Sequence, residues 1–186
     1  MLALSFNAQV YDLNDTTIEK SDAPNGAYFK DIYGTLNPYI GVWTTTWNSK
    51  TAYLEFKKIK YKMQDLNGDF ICVDSILGER KIINANGVVE IDRISNFDVI
   101  DPEFTLAYIS HIPVEYQTIL FFPKNMCSKM AKLEVKFLNP QKTQMKMKFR
   151  YEPSFLEDDC QYHDLIVNGG DFPINFPKED VIFTKQ

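Results

Sequence analysis

The densest group of reactive side chains lies near the C-terminus, in EDDCQYHD, where Asp158, Asp159, Cys160, His163 and Asp164 crowd together. Carboxylates, a thiol and an imidazole can ligate zinc, or pair as nucleophile and base. Cys160 and His163 supply only two ligands where tetrahedral zinc takes four, and no second pair stands at a useful spacing. The stretch therefore reads as an acidic surface loop, and no metal or cofactor is expected. His111, just ahead of Ile112-Pro113, reads as a partly buried histidine at a strand end. A second candidate chemistry is a phenol–carboxyl pair. If Asn67-Gly68 is a two-residue turn, Asp74 stands opposite Tyr61 on an apolar face. A buried carboxylate needs hydrogen bonds, and burial raises its pKa. Such a pair is either a ligand's polar anchor or a structural hydrogen bond. No nucleophile elbow, phosphate-binding glycine loop, dinucleotide fingerprint or zinc-protease motif occurs.

The three cysteines are too few for a disulfide framework. Cys72 lies in a strand-like run and reads as a buried apolar thiol. Cys127 and Cys160 fall in loop-like segments and can pair in an oxidising compartment.

The elements that must position these groups are strands. The 186 residues suit one domain, with 45% apolar and 14% aromatic residues to build its core. The net charge of −5 argues against a partner held by its phosphates, so no nucleic acid is expected. No apolar run approaches the ~20 residues of a membrane span. Residues 1–8 (MLALSFNA) read as the remnant of a signal peptide cleaved after Ala8, which predicts export to the periplasm or medium. Residues 9–26 read as a polar arm and residues 27–186 as a single β-barrel-like domain, with a short helix expected within Ala27–Tyr39.

From there the apolar pattern has period two, with turn signals at roughly ten-residue spacing. A turn at Ser49-Lys50 would set Trp43 opposite Phe56, Thr45 opposite Leu54 and Trp47 opposite Ala52. Both tryptophans then become core partners. The apolar phase slips between Phe56 and Ile59, which predicts a β-bulge near Lys57-Lys58 and leaves Lys58, Lys60 and Lys62 pointing outward. Asn67-Gly68 predicts Met63 opposite Cys72 and Ile59 opposite Ile76, and Asn86-Gly87 predicts Ile82 opposite Ile91. Gly78 marks a bulge or a close approach. Phe104–Ile109 and Tyr116–Phe122 read as strands, and Val181-Ile182-Phe183 as a last short one. In AKLEVKFLNPQKTQMKMKFRY, a three-residue loop Pro140-Gln141-Lys142 sets Phe137 opposite Met145, Val135 opposite Met147 and Leu133 opposite Phe149. The expected fold is all-β, an antiparallel meander of about eight to ten strands closing into a barrel, with a two-sheet sandwich as the alternative.

The segment DAPNGAYFKDIYGTLNPYIGVWTTTWNSKTAYLEFKKIKY resembles a family of short exported bacterial proteins known as a domain of unknown function, and the ending VIFTKQ is similar to that family's ending. The resemblance spans Asp22 to Gln186. It implies an export signal and brings no catalytic residues. Gly41-Val42-Trp43, preceded by TLNPYI, also resembles the opening G-x-W of lipocalins and their calycin relatives. That likeness implies a barrel with a tryptophan plugging one end. The arginine that those barrels pack over the tryptophan has no match here, since the alternation points Arg150 outward.

Two non-enzymatic functions follow. One is an exported barrel that holds a small apolar or amphipathic ligand among Trp43, Trp47, Phe56, Tyr61, Asp74, Met145 and Met147. The other is a solid-core interaction protein that turns Lys58, Lys60, Lys62, Lys146 and Lys148 toward an acidic partner or envelope surface. A hydrolase-like enzyme using Asp74/Tyr61 or Cys160/His163 is the third and least supported reading.

Overall fold

Alternating apolar and polar residues give strands, and eight of them close on themselves. A computed structural model describes residues 9–106, 115–124, 127, 130–151, 159–170 and 172–186. The strands are β1 (Val10–Asp12), β2 (Tyr28–Lys30), β3 (Gly41–Trp47), β4 (Lys50–Gln64), β5 (Phe70–Ile83), β6 (Val89–Asp92), β7 (Phe104–Leu106), β8 (Gln117–Phe121), β9 (Ala131–Phe137), β10 (Gln144–Tyr151) and β11 (Val181–Lys185). The pairing runs β5-β4-β3-β11-β10-β9-β8-β7 and returns from β7 to β5, a closed antiparallel barrel of eight strands. The sheet closes, so the sandwich alternative is set aside. Among the described residues, helix is confined to the five-residue His163–Val167 and short 3₁₀ turns. The expected signal-peptide remnant, His111, Asp158 and the end of the strand read at Phe104–Ile109 lie outside the described residues.

Three strands lie off the ring. β6 pairs β5 alone, while β1 and β2 extend β5 in parallel, departing from a purely antiparallel meander. The segment expected to be helical is therefore a strand followed by a 3₁₀ turn, Asn37–Tyr39, with Pro38 near its start. Pairing β2 to β5 satisfies backbone groups that a lone helical turn there would leave open.

The hairpin of β9 and β10 has the predicted register, Phe137 with Met145, Val135 with Met147 and Leu133 with Phe149. Its loop is three residues long, and Lys142 takes the left-handed position with φ 55°. The hairpin of β3 and β4 differs. Asn48 and Ser49, with φ 45° and 61°, form the turn, so Trp43 faces Leu54, Thr45 faces Ala52 and Trp47 faces Lys50. The shift is two residues, so each side chain keeps its predicted face.

The β4–β5 hairpin corrects two expectations at once. Its register runs unbroken from Thr51–Ile83 to Gln64–Phe70, with no bulge at Lys57-Lys58. Met63 faces Ile71, Tyr61 faces Val73 and Ile59 faces Ser75. The reason is Asp65, whose Oδ1 accepts the N–H groups of Asn67 and Asp69 and stabilises a loop of three residues, Leu66 to Gly68, in place of two. A loop one residue longer slips the register by one and exchanges the faces of one strand against the other. Lys58, Lys60 and Lys62 consequently share the face of Leu54 and Phe56 and do not point away from it. Asn86-Gly87 also closes a three-residue loop, and a shift between Ile82 and Ile83 restores the predicted Ile82–Ile91 pair.

Candidate functional site

The barrel interior is where a ligand was expected. Trp43, Phe56, Met145 and Met147 all face it and are fully buried, and Trp47 packs against the same core from its margin. Rings meet across the space these residues enclose. The rings of Phe104 and Phe121 stack with centroids 4.5 Å apart, and Phe56 meets Phe104 edge-on at 6.0 Å. Phe176, from the segment ahead of β11, lies 5.0 Å from Phe121 and 5.8 Å from Phe104. Gly78 makes this possible. A Cβ there would stand 2.4 Å from a Phe56 ring carbon, so the glycine is a close approach rather than a bulge.

Distinct contacts mark the two ends. At one, Trp43 Nε1 donates to the Tyr39 carbonyl at 2.8 Å, and the Phe137 ring covers both side chains. A cation does sit over Trp43, but it is Lys185 of β11, with Nζ 5.3 Å from a ring centroid and 3.2 Å from the Pro38 carbonyl. Gly41 gives it room, since a Cβ at its φ of 124° would lie 3.0 Å from Lys185 Cε. At the other end, Arg80 and Glu103 form a buried ion pair at 2.8 Å, with exposures of 4% and 1%. Arg80 also donates to the Asn175 carbonyl at 2.7 Å and lies 5.1 Å from the Phe121 ring centroid. The sequence reading missed this pair. The signal was present, because Arg80 falls in the inward phase of Ile76, Gly78 and Ile82, where a charge must be answered by another.

Asp74 is buried, but it stands opposite Lys60, and Tyr61 is not its partner. Tyr61 lies on the opposite face and is 37% exposed. The phenol on Asp74 belongs to Tyr28 of β2, whose O–H donates at 2.6 Å, and the Asp31 N–H donates to the other carboxylate oxygen at 3.0 Å. Burial, and then the bond to Asp74, push the Tyr28 phenol up to about 12. Asp31 in turn accepts from Thr35 N–H at 2.7 Å, Leu36 N–H at 3.1 Å and Lys58 Nζ at 3.3 Å. Burial pushes Asp31 upward, but the bonds from Thr35, Leu36 and Lys58 outweigh it and hold the carboxyl below its ordinary value. Among the described residues no buried side-chain nitrogen or oxygen lacks a hydrogen-bond partner. These carboxylates hold the chain between β2 and β3 against the sheet.

β3 leaves β4 after Phe56 and β7 leaves β5 after Ile76, and past these points β4 and β5 continue as a two-stranded ribbon with β2 along the β5 side. Lys60 Nζ sits 4.1 Å from the Tyr28 ring centroid, and Lys62 Nζ 4.2 Å from that of Phe70. Met63, Tyr61 and Leu66 are exposed on this ribbon. A cleft of about 410 Å³ lies at its tip, between Lys20, Ser21 and Ala23 of the N-terminal arm and Met63, Phe70 and Ile71. The other two lysines of the expected basic face are elsewhere. Lys146 pairs with Asp180 at 2.9 Å, and Lys148 lies 4.0 Å from the Tyr116 ring centroid.

Cys127 and Cys160 are joined as a disulfide, with Cα atoms 5.6 Å apart. Cys160 thus has no free thiol to offer His163, and His163 and Asp164 contact one another at 3.4 Å. No group of three or more metal-ligating side chains is found among the described residues. Cys72 is half-buried opposite Lys62, not sealed in the core. No helix among the described residues is long and apolar enough to cross a membrane. Comparison with known proteins finds no matching family model, no matching curated protein and no matching solved structure.

Proposed function

We propose that this protein is an exported, non-enzymatic interaction module. Its barrel is a filled, rigid support, and its working surface is the β4–β5 ribbon. The observation that carries the reading is the interior. Trp43, Phe56, Phe104, Phe121 and Phe183 are buried to within 1%, each is in contact with another ring, and Phe121 also lies against the guanidinium of the Arg80–Glu103 pair. An eight-strand barrel is wide enough either to be filled by its own side chains or to hold one small ligand, and here the rings of Phe56, Phe104, Phe121, Phe176 and Phe183 contact one another in series, which supports a filled interior. Export is supported by the Cys127–Cys160 disulfide, a bond that forms and persists in oxidising compartments.

The test is a titration with 1-anilinonaphthalene-8-sulfonate, followed by probe fluorescence and by Trp43 quenching, with native against denaturing mass spectrometry on protein recovered from the cell envelope. The expected results are no saturable one-to-one binding and a bare polypeptide mass. Stoichiometric binding that quenches the buried tryptophan would return the function to the barrel interior. One observation favours a second reading, a small amphipathic ligand in the cleft at the ribbon tip, whose volume of about 410 Å³ and mixed lining suit such a molecule. Added mass in the native spectrum that Ile71→Glu abolishes, without tryptophan quenching, would establish it.

A further inference from the structure

We infer that the free edge of β4 takes an added strand from an extended, acidic segment of the partner protein. The inference rests on the ribbon being the working surface. β3 covers β4 only from Lys50 to Phe56, ending at the Gly41–Phe56 pair. From Lys57 to Gln64 the far side of β4 pairs with no strand among the described residues, while its near side pairs with β5 throughout.

The alternation of antiparallel hydrogen bonds identifies the groups left open. A residue's N–H and C=O point to the same side, and successive residues alternate sides. The Asn48-Ser49 turn makes Trp47–Lys50 the first bonded pair of β3 and β4, so even-numbered residues of β4 face β3. On the other side, Asp65 N–H bonds the Asp69 carbonyl at 2.8 Å, so odd-numbered residues face β5. The two hairpins agree. Past Phe56, the backbone groups of Lys58, Lys60 and Lys62 point into the open edge.

The side chains specify the occupant. Lys60 and Lys62 stand in a row on one face of this edge, each held against an aromatic ring, while Ile59, Tyr61 and Met63 line the other face. A strand alternating acidic with apolar residues matches both faces at once. Edge lysines also deter unwanted pairing, but a purely protective edge gains nothing from exposed Tyr61 and Met63, at 37% and 48%. A second copy of this strand is a poor occupant, because antiparallel self-pairing would set Lys60 against Lys60 and Lys58 against Lys62. The match ends at the tip, where Asp65 and Asp69 would repel an acidic chain, so the acidic positions belong opposite Lys60 and Lys62.

The probe is a fluorescein-labelled peptide of alternating Glu and Val, compared by anisotropy with a peptide of the same composition in Glu and Val blocks. The whole protein is used, with Lys60→Ala and Lys60→Pro variants. Both variants lose the charge, and only proline also loses the outward N–H without touching a bond to β5. The expected results are preferential binding of the alternating peptide, weakening of about threefold in Lys60→Ala, and a further loss of about tenfold in Lys60→Pro. Circular dichroism and melting of the two variants should agree. Equal binding of the two peptides, or equal weakening by alanine and proline, would overturn strand addition. So would a concentration-dependent dimer that Lys60→Pro dissolves, since the edge would then serve self-pairing. Binding to phosphatidylglycerol vesicles that both variants weaken equally, with no peptide binding, would overturn it in favour of an anionic surface. The peptide titration is independent of the naphthalene probe, so a ligand in the barrel and a failed edge give different results.

Discussion

Strands β4 and β5 run through two regions with different chemistry, and the boundary lies where β3 leaves β4 after Phe56 and β7 leaves β5 after Ile76. On the barrel side the inward face carries Ala52, Leu54, Phe56 and Ile82, together with Arg80, whose charge is answered by Glu103. On the ribbon side the same face carries Lys58, Lys60 and Lys62, answered by Asp31 and by the faces of Tyr28 and Phe70. One pleat thus serves a dry interior and a wet, cationic surface without a bulge between them. Closure makes the difference. Inside the ring an unpaired charge has no water to turn to, so the polar groups are few and paired. Outside it, cations rest on rings and remain available.

The comparison is broken most directly at the buried ion pair. Glu103→Ala leaves Arg80 charged inside the barrel and should cost about 3–5 kcal/mol in urea unfolding, whereas Arg80→Met with Glu103→Leu should recover most of that loss. A single-variant cost below about 1 kcal/mol would mean that water reaches the interior. Next comes the close approach at Gly78. Gly78→Ala places a methyl group against the Phe56 ring and should destabilise by about 1–3 kcal/mol, by the same measurement.

A smaller effect distinguishes the polar cluster beside the ribbon. The Tyr28 phenol is raised from 10.0 to about 12 by burial and Asp74, so the folded protein keeps a proton that the unfolded chain loses first. Its contribution to stability is full below pH 10 and is lost as pH rises through about 12. Tyr28→Phe should remove one late-titrating group from the phenolate absorbance near 295 nm and flatten that part of the alkaline loss. Tyr39, also raised to about 12 by burial, remains as an internal reference. Smallest of all, Lys60→Ala and Lys62→Ala should each change unfolding stability by about 0.5 kcal/mol or less, although the same residues decide peptide binding. A large stability effect would make these lysines part of the structural frame and erase the contrast between the two regions.

Much of the fold was legible because it is local. In β9 and β10 the clean alternation and an odd loop leave one register that puts Leu133, Val135, Met145 and Met147 on a common face, and that register is found. The Asn67-Gly68 hairpin was misread for an equally local reason. The dipeptide suggests a two-residue turn, but Asp65 and its Asx bonds favour three, and a single residue was enough to move Tyr61 from the interior to the surface. Arg80 could have been flagged by its phase, but not paired, because Glu103 precedes a strand whose neighbours the chain does not announce.

The sequence was enough to place the strands from β3 onward, the faces of most of them and much of the core, but not β1 and β2, since backbone pleat and turn chemistry act within a few positions of each other. The tertiary structure alone decided that β11 joins β10 to β3 and that β7 returns to β5, closing the ring. It also decided that Tyr28 rather than Tyr61 meets Asp74, and that β3 stops at Gly41 while β4 runs on. Those outcomes depend on contacts between residues far apart in the chain, where the gain is shared burial and no local pattern records the partner.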